Sequence, residues 1–143
     1  MNFREMKESD YENIISLWQN AEGVKLRDAD SKEGINKYLQ RNPGLSFIAE
    51  TDGKIVGTIM AGHDGKRGYL QHLAVDIHHR KRGIATELLN RCLAALKAEN
   101  ILKSHIQVLC ENDSAKIYWQ NRGWLKRNDI ETFSFIHGDN INT

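Results

Sequence analysis

Long hydrophobic runs are missing from this chain. No apolar stretch approaches the roughly 20 residues a helix needs to cross a bilayer, and the opening Met1-Asn2-Phe3-Arg4-Glu5 lacks the apolar block of a secretory signal. No membrane partner is therefore expected, and the expected compartment is the cytoplasm. Cysteine is scarce: Cys92 falls on the apolar side of a helical pattern, Cys110 ends a strand-like run, and there is no CxxC spacing. That excludes a disulfide framework, a redox pair and a zinc cluster, so no metal is expected. Proline occurs once, at Pro43, and there are no repeats, linkers or low-complexity segments. Charge of one sign is also lacking. Twenty Lys and Arg face 19 Asp and Glu, for a formal net charge of +1, so no global field draws the chain to nucleic acid, and any anion must be recognised locally.

What remains is an ordinary globular composition at a length, 143 residues, that suits one domain spanning residues 1–143. Phe3 to Met6 alternates as a short strand, and Ser9-Asp10-Tyr11-Glu12 reads as a capping box opening a helix that carries Ile14, Ile15, Leu17 and Trp18 and stops near Gly23. Val24 to Ala29 is expected to be a polar, mobile connection. A second helix begins at Asp30 or Ser31, buries Ile35, Tyr38 and Leu39, and ends before Asn42-Pro43-Gly44. Leu45 to Thr51 and Lys54 to Met60 read as strands joined by the hairpin dipeptide Asp52-Gly53, and a turn over residues 63–68 leads into a third sheet strand, Tyr69 to Val75.

From Gly83 to about Glu99 the apolar residues Ile84, Leu88, Leu89, Cys92, Leu93 and Leu96 keep helical spacing. Lys103 to Leu109 reads as a strand and Asn112 to Asn121 as a short helix closed by Gly123. Trp124 is expected to restart the sheet, and Thr132 to His137 to form a last strand, an exposed edge on which a second copy of the chain could pair as a homodimer. The fold class is α/β in the α+β sense: a mixed, mostly antiparallel sheet flanked by about four helices.

The turn Arg80-Lys81-Arg82-Gly83-Ile84-Ala85 sits between the third sheet strand and the long helix. The first amides of a helix have no intrahelical partner and lie at the positive end of its dipole. No Ser, Thr, Asp or Asn stands immediately before Gly83 to cap them. They are left for an anion, with Gly83 permitting close backbone approach and the basic side chains adding charge-assisted bonds. The pattern lacks the Gly-Lys-Ser/Thr of a P-loop and the three glycines of a dinucleotide fold. Taken alone, the turn also reads as a solvated basic surface or, with His78 and His79, as a nucleic-acid patch.

Together with Asn112, Ala115, Tyr118 and Gly123-Trp124 downstream, the turn resembles the Gcn5-related N-acetyltransferase (GNAT) family across essentially the whole chain. That resemblance implies an (Arg/Gln)xxGx(Gly/Ala) cradle for the diphosphate of acetyl-CoA, here Arg80, Lys81, Arg82, Gly83, Ile84 and Ala85. It implies backbone pairing of the pantetheine arm by Leu73, Ala74 and Val75, with a further hydrogen bond from Asn112. The implied activity is an acyltransferase reaction, with acetyl-CoA as the acyl donor and a small-molecule or peptide amine as the acceptor. Gln107 departs from ribosomal-protein alanine acetyltransferases, which carry a glutamate there.

Acetyl transfer by direct attack needs a held thioester, a donor for the oxyanion, and a proton for the leaving thiolate. Tyr118 is the expected general acid, because a phenol with a pKa of about 10 is protonated at neutral pH and suits a thiolate. The base is open. Strand alternation sets Tyr69, Gln71 and Leu73 on one face and His72 on the other. Tyr69 and Gln71 match the family's usual base positions without titrating usefully. His72 can serve if its strand carries a bulge, and His105 or Glu111 can serve through water. Asp28 is the candidate contact for a cationic acceptor, whereas Asp30 reads as a helix cap. The alternative to an enzyme is a noncatalytic acyl-CoA-binding module on the same fold.

Overall fold

The computed structural model describes residues 1–21 and 23–143. They gather into two compact units, residues 1–107 and 108–143, which are described in turn.

The first unit is built on a five-stranded sheet in chain order: β1 (Asn2–Glu5), β2 (Phe47–Thr51), β3 (Lys54–His63), β4 (Gly68–Val75) and β5 (Ser104–Ile106). The first four strands pair antiparallel as a meander, and β5 runs parallel to β4. Asp52 and Gly53 both take left-handed φ angles, 52° and 73°, the geometry of the two-residue turn that the dipeptide foretold. The strand expected over residues 103–109 is shorter, because pairing with β4 stops at Ile106.

Helix α1 (Tyr11–Gln19) starts by a different device from the expected Ser9–Glu12 box. Asp10 accepts the Lys7 amide at 2.8 Å and a two-pronged bond from Arg4, 2.9 Å to each oxygen. A charge-assisted fork anchors the turn more firmly than a serine hydroxyl can. Burial pushes the Asp10 carboxyl up, but the Arg4 hydrogen bond and the Lys7 amide outweigh it and hold it below the usual carboxylate range. The helix ends at Gln19, short of Gly23. Glu22, in the stretch expected to finish it, lies outside the described residues. The connection that follows is less loose than its polarity implied: Val24 and Leu26 pack on the core, and Asp28–Asp30 forms a 3-10 turn. Helix α2 (Lys32–Arg41) is capped by Ser31, whose hydroxyl accepts the Gly34 amide at 3.1 Å.

Two glycines on β3 show how the layers stack. A Cβ on Gly57 would lie 2.9 Å from Ile84 and 3.1 Å from Leu88 of helix α3 (Ile84–Ala98), while one on Gly62 would lie 2.8 Å from the Tyr38 hydroxyl of α2. Five residues apart on an alternating strand, they face opposite ways, so α3 covers one face of the sheet and α2 the other. On the α2 side Ile14, Trp18, Ile35, Ile48, Met60 and Ala74 form one buried cluster. On the α3 side Ile84, Leu88, Leu89, Cys92 and Leu96 are buried.

In the second unit, helix α4 (Asp113–Asn121) is followed by Gly123 at φ 83°, the left-handed position expected there. No strand forms among residues 107–143. The sheet restart at Trp124 and the last strand over residues 132–137 are therefore not formed, and with them goes the edge expected to pair a second copy. Phe133 and Phe135 are exposed; alternation marks a strand only where a neighbouring strand and a core take up its two sides.

Candidate active site

The basic turn takes the conformation an anion site requires. Lys81 (φ 61°) and Gly83 (φ 78°) are both left-handed, and Gly83 is the N-cap of α3 with no side-chain bond to the helix amides. The first helical bond is donated by Glu87 to the Gly83 carbonyl, so the amides of Ile84, Ala85 and Thr86 precede the ladder. A Cβ on Gly83 would meet no other atom within 4 Å among the described residues, so they leave the space before the helix open. Arg80, Lys81 and Arg82 are exposed, and Arg80 folds back so that its Nε donates to the Val75 carbonyl at 3.3 Å. Asp76, just before the turn, is engaged by His79 Nδ1 at 2.7 Å and the His78 amide at 3.1 Å.

Strand β4 leads into that turn and is only half paired on its outer side. β5 covers Gly68, Tyr69 and Leu70 and stops. From Gln71 to Val75 that edge has no strand partner among the described residues, which leaves a row of backbone donors and acceptors for an extended ligand. On the inner side Thr58 pairs with Ala74 and Met60 with Gln71, so His72 and Leu73 together oppose the single residue Ile59. This is a β-bulge, the condition on which His72 becomes a candidate base.

His72 is held from several directions. Its φ is 52°, a sparsely populated conformation for a side chain of this size. Its carbonyl accepts from Thr58 Oγ1 at 2.9 Å, and that hydroxyl accepts from Trp18 Nε1 at 2.8 Å. The Trp18 ring lies 4.5 Å from the imidazole, and the ring's Nε2 meets Asp30 Oδ1 at 2.7 Å. Asp30 is therefore not the cap of α2, a role taken by Ser31. Its other oxygen closes the 3-10 turn by accepting the Arg27 amide at 2.9 Å. Burial raises the Asp30 carboxyl, but the His72 and Arg27 hydrogen bonds outweigh it and leave the group below the usual range. Sequence reading missed this partnership, which spans 42 residues and leaves no local pattern.

The other predicted residues divide. Asp28 is exposed on the same 3-10 turn as Asp30. Tyr69 stacks loosely on His105 at 5.8 Å, and Glu111 is exposed. In the second unit, Asn112 caps α4: its Oδ1 accepts the Ala115 amide at 3.2 Å and the Ser114 hydroxyl at 3.1 Å. The Tyr118 hydroxyl is buried without a hydrogen-bond partner among the described residues. Its ring stands edge-on to Trp119 at 5.2 Å with the Arg122 guanidinium 5.1 Å over it. Trp119 packs in turn against Trp124 at 4.6 Å.

Residues 10–124 match the model of the acetyltransferase (GNAT) family. The chain is 35% identical over 114 residues to an acetyltransferase of Pectobacterium atrosepticum, covering 80% of each protein. Its fold is similar to that of a predicted acetyltransferase with acetyl-CoA from Clostridium acetobutylicum, at TM-score 0.75 and 20% identity over 93% of this chain and 95% of that one. It is also similar to the aminoglycoside acetyltransferase AAC(6')-Iy in complex with a CoA-linked bisubstrate analogue, at TM-score 0.74 and 20% identity over 95% and 98% of the two chains. With a left-handed glycine turn on an uncapped helix, a bulged and half-paired fourth strand, and these likenesses, the chain belongs to the GNAT family of acetyltransferases.

Proposed function

We propose that the protein transfers an acetyl group from acetyl-CoA to a primary amine by direct attack. The observation that carries this reading is the sequence of two backbone surfaces, the edge of β4 that has no strand partner among the described residues from Gln71 to Val75 and the uncapped start of α3 at Gly83. An extended arm ending in a diphosphate fits that pair. Leu73, Ala74 and Val75 would bind the pantetheine through backbone, and the amides of Gly83, Ile84 and Ala85 would take the diphosphate with the Lys81 and Arg82 cations beside it. Arg80 would have to leave the Val75 carbonyl to join them. Asn112 has its Oδ1 occupied by the helix cap, so its contact with the arm would come from Nδ2.

For the chemistry, His72 takes the proton that the acceptor ammonium must lose. The amine nitrogen then bonds to the acetyl carbon, a main-chain amide at the bulge meets the oxyanion, and the carbon–sulfur bond breaks. Tyr118 protonates the departing thiolate and regains a proton from the new amide nitrogen, which sheds its second hydrogen as the carbonyl re-forms; the buried, unpartnered Tyr118 hydroxyl supports that role. Asp28 would contact a cationic acceptor. The likeness to an aminoglycoside acetyltransferase supports small-molecule amines as the acceptor class.

Isothermal titration with acetyl-CoA tests the donor half, and saturable binding at one site is expected. Tyr118→Phe is expected to lower amine-dependent release of CoA thiol by about 10²-fold or more while leaving acetyl-CoA affinity unchanged. Unchanged turnover in that variant would remove Tyr118 from the mechanism.

A further inference from the structure

We infer that Asp30 is a positioning residue: it holds His72 as the Nε2–H tautomer and so makes Nδ1 the basic atom. This rests on the reading of His72 as the base and goes beyond it by assigning the atom and the group that selects it. The 2.7 Å contact joins Asp30 Oδ1 to Nε2. An ionised carboxylate has no proton to donate, so in the neutral ring Nε2 must carry the hydrogen. The acid is ionised at neutral pH, because its carboxyl lies below the usual carboxylate range. No polar group meets Nδ1 among the described residues, so its lone pair remains for a substrate proton. Asp30 is the one ionisable side chain bonded to the ring among those residues.

The surroundings favour a working imidazole over a structural pair. Asp30 already closes its turn through the Arg27 amide with its second oxygen, so the turn does not need His72. His72 stands in the left-handed region at the bulge, a backbone state that persists only where neighbours enforce it and that clusters at functional sites. Those neighbours are identifiable: Thr58 fixes the carbonyl, Trp18 fixes Thr58 and covers the ring, and Asp30 fixes Nε2. The side chains of His72 and Asp30 keep 12% and 11% of their surface exposed, enough burial to hold the geometry and enough opening for a proton to pass.

When the ammonium proton moves to Nδ1, the ring becomes an imidazolium whose charge Asp30 balances, and no further group changes protonation. Asp30→Asn keeps the shape and can still accept the Arg27 amide through its carbonyl. It turns an N–H donor toward Nε2, which must then become the acceptor, and the proton shifts to Nδ1. The basic atom is lost although the ring stays in place.

Multiple-bond proton–nitrogen NMR on the labelled protein, with the His72 signals assigned by their disappearance in His72→Gln, reads the tautomer directly without any substrate. The Nε2–H form is expected in the native chain and the Nδ1–H form in Asp30→Asn. A native Nδ1–H ring, or a tautomer indifferent to Asp30→Asn, would overturn the inference. With acetyl-CoA and a panel of primary alkyl amines and peptide α-amines, Asp30→Asn should lower kcat by about 10²- to 10⁴-fold with acetyl-CoA affinity unchanged. Loss in His72→Gln with native turnover in Asp30→Asn would defeat the positioning role alone. Native turnover in His72→Gln would instead defeat the assignment of His72 as base.

Discussion

Substituting Gly83 separates the conformational cost of the turn from its use as a ligand site. At φ 78° and ψ 8° the residue is left-handed, and a Cβ there would touch nothing beyond its chain neighbours within 4 Å among the described residues. Clash with residues elsewhere in the described chain therefore contributes nothing to Gly83→Ala, and the cost is local to the backbone. The left-handed penalty of about 1–2 kcal/mol is offset by about 0.4–1 kcal/mol of lost unfolded-state freedom. A net loss of roughly 0.5–1.5 kcal/mol should lower Tm by about 2–5 °C in a chain of this size. Binding should suffer more. The methyl group enters the space before the uncapped amides, and losing one charge-assisted bond there, about 1.5–3 kcal/mol, weakens acetyl-CoA about 10- to 100-fold. Gly44→Ala is the control. It has the same φ of 78° and the same empty surroundings, but it follows α2 at the opposite end of the strands. It should cost similar stability and leave acetyl-CoA affinity native. Calorimetric titration and thermal melts of both variants decide the matter. Native affinity in Gly83→Ala, or equal loss of affinity in both variants, would refute the assignment of the turn.

Further outcomes follow from the same structure. Thr58→Val removes both the donor to the His72 carbonyl and the acceptor of the Trp18 indole, leaving two buried groups unmatched; about 2–5 kcal/mol of stability should be lost in urea melts. Cys92 is buried and its thiol is pushed up to about 12 by burial, whereas Cys110 is exposed, so native protein at pH 8 should take up one thiol reagent per chain and unfolded protein two. Asp10 and Asp30 both have folded pKa values below the ordinary carboxylate range, so their contribution is fully present above about pH 4 to 5 and is lost as pH falls through those lowered values. Asp10→Asn should therefore cost about 1–3 kcal/mol at pH 7, with the difference from the native chain shrinking below pH 4 in acid-unfolding curves.

Those parts of the fold with a local cause were legible in the sequence. The Asp52-Gly53 turn needs two left-handed residues that Asp and Gly tolerate, and α3 advertises its buried stripe from Ile84 to Leu96. The open start of that helix could be read from the lack of a capping side chain before Gly83. What escaped was set by distant partners. The Asp10 carboxylate at the start of α1 is held by Arg4 on β1, and Asp30, while Ser31 caps α2, gives one oxygen to His72 on β4. The bulge at His72 and Leu73 is a mismatch between β3 and β4, invisible in either strand alone. Alternation over residues 132–137 misled for the opposite reason, since it named two sides with no neighbouring strand to use them.

Amine-dependent release of CoA thiol from acetyl-CoA, followed across small alkyl amines, polyamines, aminoglycosides and peptide α-amines, tests acetyl transfer most directly. Saturable thiol release that requires an amine, with the product amine gaining one acetyl group by mass, is the predicted result. Tight acetyl-CoA binding without thiol release for any amine in that panel would contradict it and leave a noncatalytic acyl-CoA-binding module.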